Sequence, residues 1–497
     1  MMRRPVNQCR RGRGRRGAIL IVTMFVVFTL ASLVLVMCGS MSVEAGAAAN
    51  MAASLQASAV ERGAEQYVIG ILTEQKDTLS DLTEDYFAAV PVGDGFFWIL
   101  RPDYGDPNLP VFGLTEEAGK LNINTADYDA LMKLPNMTDD VAAAIVDWRD
   151  ADSTISPGGA ESEYYGSLPD PYNCKNAPFE SVEELLLVRG VTRDLLYGNG
   201  TASPLGTQSG SVSGGQASAD LQTANGWYNL LTCYSSDSPA SGGQRINLND
   251  RNSRQKLQDL LEQQLDNKGR ADAIVNGMGR ATYIDVFDFY FQAQLKPDEL
   301  SKIYDSITVA PTDGAGGGGA PTGGGGGTTP GRTGTGSTGG GGGAAAGGGG
   351  AAASNATKGL INVNTAPRDV LLTLPGLEDA DVDKLISARQ GSAAGDTSVG
   401  WVADALDKKA IGLGKYITGK TSQFSADILA VSGNGRAFKR CRIVVNTSGS
   451  TPQIVYRRDL TERGWPMDPE ILAQLRTGQA QGTWAGARSA MPGGFNR

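Results

Sequence analysis

Histidine is absent from the 497 residues of this sequence. The imidazole side chain is the usual general base near neutral pH and the commonest nitrogen ligand of metals in proteins. Its absence removes every Ser-His and Cys-His nucleophile arrangement. The composition therefore strongly disfavours an enzyme, and we predict neither catalytic residues nor an organic cofactor.

Cysteine is scarce, with five residues in the chain. Cys174, Cys233 and Cys441 lie far apart and form no CxxC pair, so a zinc site is not predicted. One disulfide with a spare thiol is compatible with an oxidising compartment. The spacing does not select which two cysteines would pair.

Basic residues are few outside the N-terminus. The chain has 44 Lys and Arg against 53 Asp and Glu, a net charge of −9. Residues 1–17 hold seven arginines and no acid, which leaves 37 basic and 53 acidic residues, or −16, for the rest. Such a surface repels nucleic-acid phosphates.

Charged side chains are missing from residues 18–43. About twenty apolar residues in a helix match a hydrocarbon core of roughly 30 Å, so this segment predicts one membrane-spanning helix. Arginines precede it and Glu44, Glu61 and Glu65 follow it, which places the N-terminus in the cytoplasm. A cleaved signal peptide fits less well because the apolar run is too long. A plain anchor and a processed leader stay open at this point.

The segment after the membrane is rich in alanine and free of proline. It predicts that one helical rod of about 85 Å runs from residue 18 to residue 75. Strands are predicted over 96–101 and 111–114, and again near the C-terminus, where three runs alternate apolar and polar residues.

A short phrase recurs three times, which indicates an internal repeat of one module. It reads LNINTA at 121–126, RINLND at 245–250 and LINVNTA at 360–366. Each phrase opens a helical segment, and Thr125 and Thr365 are predicted to cap the first helix of their copies. The pattern predicts helix-hairpin-helix units, of which the middle one is the least regular.

Helix-hairpin-helix units often hold nucleic acid, because backbone N–H groups at a helix N-terminus meet a phosphate. Membrane-anchored DNA receptors of competence systems look like this phrase. In this sequence, however, Asp139, Asp140 and Asp379 stand where a phosphate would lie. A DNA-binding receptor is therefore the alternative hypothesis, and binding to nucleic acid is not expected.

Acidic residues gather just after the first unit. They are Asp147, Asp150, Asp152, Glu161 and Glu163, with a Gly-Gly turn between the third and the fourth. Carboxylates at close spacing, returned by a glycine turn, are the oxygen ligands that calcium prefers. The alternative is a solvated acidic loop without an ion.

Several of these features together resemble the K minor pseudopilins of type II secretion systems. The resemblance is carried by Arg16-Gly17 before the apolar helix, DWRDAD at 147–152, GGAESEYY at 158–165, NAPFESVEELLLVRGV at 176–191, and the last NVNTA phrase with its terminal strands. It implies an α+β fold in which a long N-terminal helix and a small antiparallel sheet carry a large inserted helical domain with helix-hairpin-helix, SAM-like repeats. By motif position it also implies that calcium binds near the inserted domain.

The resemblance further implies a function and a location. The protein would initiate or cap a short pseudopilus for protein secretion across the outer membrane. It would cross the inner membrane once, with its bulk in the periplasm. The implied partners are the I-type and J-type minor pseudopilins, the major pseudopilin, the prepilin peptidase and the inner-membrane secretion platform.

The N-terminus resembles a type IV prepilin leader. Cleavage is therefore expected between Gly17 and Ala18, followed by methylation of the new N-terminus at Ala18. Counted from there, position five is Val22, where most pilins carry a glutamate that pairs inside the membrane with a neighbour's amine. An unpaired carboxylate in lipid costs several kcal/mol, so its absence suits a subunit that needs no such neighbour.

These inferences divide the chain into ten segments. They are a leader (1–17), the membrane helix (18–43), the long helix with the first strands (44–122), a first helical unit with the acidic loop (123–200), a flexible linker (201–244), a second repeat (245–310), a Gly-rich linker (311–357), a last unit (358–420), a strand meander (421–460) and a tail without an assigned role (461–497).

Overall fold

The computed structural model describes residues 15–74, 82–102, 111–198, 226–237, 245–278, 282–309, 357–391, 398–467 and 469–477. The helices are α1 (Arg15–Glu74), α2 (Tyr128–Met132), α3 (Asp139–Arg149), α4 (Ser162–Gly166), α5 (Arg193–Tyr197), α6 (Trp227–Leu230), α7 (Arg254–Leu265), α8 (Lys268–Gly277), α9 (Val286–Gln292), α10 (Pro297–Ile303), α11 (Arg368–Leu372), α12 (Asp379–Gly391), α13 (Gly400–Leu406) and α14 (Pro469–Thr477). The predicted leader residues 1–14 and most of the two predicted linkers lie outside the described residues.

The strands fall into one sheet and four short pairs. They are β1 (Val90–Val92), β2 (Gly95–Arg101), β3 (Val111–Phe112), β4 (Thr115–Glu116), β5 (Leu121–Asn122), β6 (Leu231–Thr232), β7 (Ser236–Asp237), β8 (Ile246–Asn247), β9 (Ile307–Thr308), β10 (Thr357–Lys358), β11 (Ile361–Asn362), β12 (Ile417–Thr418), β13 (Gln423–Val431), β14 (Phe438–Asn446) and β15 (Gln453–Asp459).

Helix α1 is a single rod of 60 residues, about 90 Å long. The large apolar side chains of its first half are exposed, from Ile19 to Val43. Among the described residues, it is the one helix long and apolar enough to cross a membrane. In its second half, small and branched side chains at helical spacing turn inward and are buried, at positions 53, 57, 60, 64, 68 and 72.

The second half of α1 packs on a seven-stranded antiparallel sheet. Its main strand order is β1-β2-β13-β14-β15, with β3 beside β2 and β4 beside β13. All nine residues of β13 are buried because this strand lies at the centre. Phe424, Ala426 and Ile428 belong to the core that α1 covers, while Leu429 and Val431 belong to the core on the opposite face.

A helical head is inserted into this sheet. Strands β4 and β13 are neighbours in the sheet, with Phe424 opposite Glu116, yet about three hundred residues separate them in sequence. The three repeat copies lie in that interval and share one hydrophobic core. Each copy opens with a two-residue strand that pairs in parallel with a strand at its own end, as β5 with β6, β8 with β9 and β11 with β12.

The first and third copies each contain two helices joined by a short turn. The turn places Asn136 of the first copy at φ 58° and Gly376 of the third copy at φ 74°, a region that asparagine and glycine tolerate best. The assignment of these helix pairs to the helix-hairpin-helix class stays a prediction.

The predicted caps of these helices were wrong. Asp127 caps α2 by accepting from the N–H of Ala130 at 2.8 Å, and Pro367 occupies the cap position of α11. Thr125 and Thr365 lie two residues before those caps and face the other copy. Their place in the contact between copies explains why a threonine stands at this position.

The linker predicted over 201–244 was too long. Residues 226–237 form α6, β6 and β7, and they close the first copy. Trp227 is 1% exposed and its indole N–H donates to the Pro135 carbonyl at 2.8 Å. The apolar run from Trp227 to Leu231 supplies core side chains, so the first unit extends beyond residue 200.

The tail has a structural role that the sequence did not indicate. Trp465 lies edge-to-face against Trp98 of β2 and against Phe438 of β14, at centroid distances of 6.1 and 5.6 Å. Helix α14 follows, and Leu475 is buried in the same small core. The tail therefore covers the face of the sheet that α1 leaves free.

Candidate functional site

The predicted acidic residues lie where α3 ends and α4 begins. Asp147 is on the last turn of α3, and Asp150 ends that helix because its backbone is extended, at φ −74° and ψ 171°. Asp152 follows in the loop. Glu161 is the cap residue of α4, where its carboxylate accepts from the N–H of Ser162 at 3.3 Å. The loop returns the chain so that four of the five predicted acids come together.

Asp147 is the buried centre of this loop, with no exposed surface. Both of its carboxylate oxygens accept from the N–H of Ser156, at 3.3 and 3.2 Å. A Cβ at Gly159 would lie 2.7 Å from Asp147 Cγ, so only glycine lets the backbone approach this carboxylate. The Gly-Gly turn noticed in the sequence therefore serves to wrap the loop around Asp147.

Three buried oxygens in the loop have no hydrogen-bond partner within the described structure. They are Asp150 Oδ1, Glu161 Oε1 and Asn176 Oδ1. A buried oxygen without a partner costs about 1–3 kcal/mol, and more when it is charged. A bound cation or a bound water would supply the missing partners.

Asp150 lies close to other negative charges of the acidic loop. The pKa of Asp150 is raised to about 6 by burial first, and then by the negative charges of Asp152, Asp147 and Glu161. The other three acids are thus close enough to act on Asp150. A divalent cation among them would relieve this repulsion.

The fifth predicted acid, Glu163, is placed differently. It is exposed on α4, and it is not among the groups that raise the pKa of Asp150. Asn176 was missed by the sequence reasoning. Its backbone has φ 48° and its amide donates to the carbonyl of Asp152 and to Ser153 Oγ. The one sequence signal for it is its position inside the NAPF phrase, which is part of the resemblance to the protein K family.

The third copy provides an internal comparison for the acidic loop. The residue equivalent to Asp147 is Ser387, and the one equivalent to Asp150 is Gln390. Arg149 and its equivalent Arg389 both donate to carbonyls of their own repeat phrase. The helix and its anchoring arginine are thus repeated, whereas the carboxylates are specific to the first copy.

A second group of possible ligands can be set aside. Glu61, Glu65 and Cys441 lie within 4.8 Å of one another. Arg457 already neutralises both carboxylates, at 3.0 and 2.7 Å. This cluster is an ion pair that ties α1 to the edge strand β15.

Cys174, Cys233 and Cys441 are free thiols in the structure. Cys174 is buried beside the acidic loop, and its thiol donates to the Asp147 carbonyl at 3.6 Å. Cys441 is buried in the sheet core. The residues of the predicted cleavage site, Gly17 and Ala18, lie within α1, and their side chains are outside the described part.

The fold and the loop define a class of protein. It has one apolar rod, an antiparallel sheet packed on that rod, and a helical head with an acidic loop inserted between two adjacent strands of the sheet.

Comparisons with known proteins narrow this class. Residues 111–197 match the family model of the type II secretion system (T2SS), protein K. The type II secretion system protein K of Pectobacterium carotovorum subsp. carotovorum is 42% identical over 55 residues, which cover 11% of this chain and 17% of that protein. One chain of the crystal structure of the GspK-GspI-GspJ complex from the enterotoxigenic Escherichia coli type 2 secretion system aligns over 81% of this chain and 93% of its own length, at 11% identity and a TM-score of 0.33.

The predicted resemblance to the protein K family is therefore confirmed. The matched residues run from β3 to the end of α5 and include the whole acidic loop. Protein K is a component of a secretion system, and its family is not an enzyme family.

Proposed function

We propose that this protein is a minor pseudopilin that initiates or caps the pseudopilus of a type II secretion system, without catalytic activity. The observation that carries the proposal is the protein K match over 111–197. Most of these residues belong to the helical head of a chain that has a single apolar rod. Rods of this kind associate side by side in a membrane. A head of about three hundred residues on one rod is too bulky to be stacked between neighbouring subunits, so the tip of the filament suits it best.

The proposed orientation follows from charge. The seven arginines of residues 1–17 stay in the cytoplasm, and the acidic head lies in the periplasm. The proposed partners are the I-type and J-type minor pseudopilins, the major pseudopilin, the prepilin peptidase and the inner-membrane platform. The free surface of α1 just outside the membrane is apolar, with Met51 and Leu55 both more than 60% exposed, and is the proposed contact with other rods.

Co-purification tests this function. We expect the tagged full chain, expressed with I-type and J-type minor pseudopilins, to retain both after detergent extraction. Leu55→Arg on the rod should abolish the complex, because it places a charge in an apolar helix contact. The matched control is Ile284→Arg, since Ile284 is similarly exposed but lies on the head. Retention of both partners by the Leu55→Arg variant would contradict the proposed contact, and failure of the unsubstituted chain to bind either would contradict the function.

Processing of the leader is a separate expectation. We expect the mature chain to begin at Ala18, with a methylated N-terminus, in cells that contain a prepilin peptidase. Gly17→Val should leave the chain full length, because a Cβ at the scissile bond hinders access at the membrane edge. Gly14→Val is the control, which should be processed normally. Mass spectrometry of the N-terminus decides, and a mature Gly17→Val chain would disprove the leader assignment.

We also propose that the acidic loop binds calcium. Asp147, Asp150, Asp152 and Glu161 would supply carboxylate oxygens and Asn176 an amide oxygen, which are the hard ligands that calcium prefers. When bound, calcium would supply positive charge to oxygens that otherwise lack partners. Hydrogen bonds among these residues hold the loop. Asp147 accepts from the N–H of Ser156, and the Asn176 amide donates to the Asp152 carbonyl and to Ser153 Oγ.

A membrane-anchored DNA receptor is not favoured by the comparisons. The structure also shows that cationic side chains near the turn of the third copy are occupied. Arg368 pairs with Asp379 and Asp383, and Lys384 and Lys409 both pair with Asp381. These pairs leave little positive charge for a phosphate backbone.

A further inference from the structure

The first and third repeat copies contact each other through equivalent residues. A Cβ at Gly119 would lie 3.1 Å from Thr365 Oγ1, and a Cβ at Gly359 would lie 2.8 Å from Thr125 Cβ. The two glycines hold the same position before the repeated phrase, and the two threonines hold the same position within it. The contact is therefore reciprocal, as in an interface with twofold symmetry.

The strands that flank the two copies are exchanged in the same way. β10, which leads into the third copy, pairs antiparallel with β7, which follows the first copy. β4, which leads into the first copy, pairs antiparallel with β13, which follows the third copy. Each copy thus supplies its leading strand to the trailing strand of the other.

The two copies also have equivalent hydrogen bonds within them, so their residues can be compared position by position. Tyr128 donates to Asp139 in the first copy at 2.9 Å, and the equivalent Arg368 donates to the equivalent Asp379 at 2.7 Å in the third. Arg149 and the equivalent Arg389 both donate to backbone carbonyls of the repeated phrase in their own copy.

We propose that the surface formed by this glycine and this threonine recognises a second module of the same kind, so that the first and third copies bind each other as an internal pair. The middle copy is excluded from that pairing by its sequence. It has Gln244 at the glycine position and Asp250 at the threonine position. A side chain in place of the glycine would prevent the close backbone approach. The Asp250 carboxylate is also engaged within its own copy, where it accepts from the N–H of Asn252 at 2.9 Å.

The pairing joins the two places where the head meets the sheet. Glu116, at the entry, accepts from Asn362 Nδ2 at 2.7 Å and from Thr365 Oγ1 at 3.1 Å, both in the third copy. Lys133 of the first copy donates to the Leu374 carbonyl of the third at 2.8 Å. The internal pair therefore determines how the head is held on the sheet.

Double-mutant cycles on the full chain test this proposal. The crosswise cycles are Gly119→Ala with Thr365→Ala and Gly359→Ala with Thr125→Gly, because an alanine at position 125 would keep the Cβ that lies 2.8 Å from the new Cβ at position 359. We expect each double variant to melt about 2 °C or more above the additive expectation, because removal of the threonine side chain makes room for the new Cβ. Gly359 has φ +81°, so its substitution is strained in any case, but that strain cancels in the cycle.

The control cycles combine positions of one copy, Gly119→Ala with Thr125→Gly and Gly359→Ala with Thr365→Ala. These residues do not face each other in a reciprocal contact, so their effects should add. Additive crosswise cycles, or same-copy coupling of equal size, would overturn the proposal.

A second measurement does not depend on melting. The double substitution Gly119→Gln with Thr125→Asp gives the first copy the residues of the middle copy. Amide exchange of β10 should then accelerate at least tenfold, whereas exchange of β8 and β9 in the middle copy should be unchanged. Unchanged exchange in β10 would refute recognition through these residues.

Discussion

Removal of calcium should lower the melting temperature of the wild-type protein by about 5–10 °C. A ligand at a hundred times its dissociation constant stabilises the folded state by about 2.7 kcal/mol, and each kcal/mol corresponds to roughly 2–4 °C in a protein of this size. Asp147→Asn should melt lower than the wild type and should not respond to chelator, because the central carboxylate of the loop has lost its charge. Thermal unfolding with calcium and with excess chelator measures both effects.

The matched control for this experiment is Asp139→Asn. Asp139 lies on the same helix, α3, but at its first residue and outside the acidic loop. Its variant should keep the full response to calcium. Equal melting temperatures with and without chelator in the wild type would remove the support for the site.

Cys174 offers an independent measure of the same loop. Its thiol is buried against the Asp147 carbonyl, so chelation should speed its reaction with a thiol reagent. Cys441 is fully buried in the sheet core, away from the acidic loop, and its slow rate should not change on chelation. If chelation leaves the reaction rate of Cys174 unchanged, the loop keeps its structure without an ion.

The second large effect is expected from Asp427→Ala, which should destabilise the protein by about 3–5 kcal/mol. Asp427 is buried on the central strand and accepts from Arg440 Nε at 2.9 Å and Nη2 at 2.7 Å, while Arg442 Nη2 lies 3.5 Å away. Its removal leaves two partly buried guanidinium groups without their carboxylate. Arg442 also lies over the Tyr228 ring at 3.9 Å, so the loss reaches the joint between the sheet and the head.

The pH dependence of this contribution has a defined sign. Burial alone would raise the pKa of Asp427, but Arg440, Arg442 and Arg463 outweigh burial and hold the pKa below its usual value. A carboxylate with a lowered folded pKa contributes stability that is present above the unfolded pKa and is lost as the pH falls through the folded pKa. The difference between wild type and variant should therefore shrink in strong acid.

Urea unfolding provides the measurement, and Asp379→Ala provides the control. Asp379 forms an exposed pair with Arg368, and exposed pairs contribute at most about 1 kcal/mol. Replacing Arg440 by leucine in the Asp427→Ala background should recover part of the loss, because one unpaired charge is removed. An Asp427→Ala variant within 1 kcal/mol of the wild type would contradict the assigned role.

Patterns local in the sequence anticipated much of this protein. The apolar run of 18–43 predicted the exposed half of α1, and the repeated phrase predicted three copies of a helical module. Four of the five predicted acids lie together in one loop, because a helix end followed by a glycine turn brings near neighbours in sequence together. These inferences needed only short-range geometry.

Other features depended on contacts between distant segments. The cover that Trp465 and α14 provide had no local signal. Thr125 and Thr365 were assigned as caps because a threonine before a helix usually has that role. The structure places them in a contact between two copies, and the printed order of residues does not indicate which copy meets which.

The sequence by itself determined the rod, the repeat and the chemistry of the acidic loop, since each is encoded within a few turns of chain. Only the tertiary structure decided that β4 and β13 lie side by side, that the first and third copies pair, and that the tail closes the sheet. The physical reason is that burial and hydrogen bonding are satisfied by whichever surfaces fit in space, and that fit joins residues hundreds of positions apart.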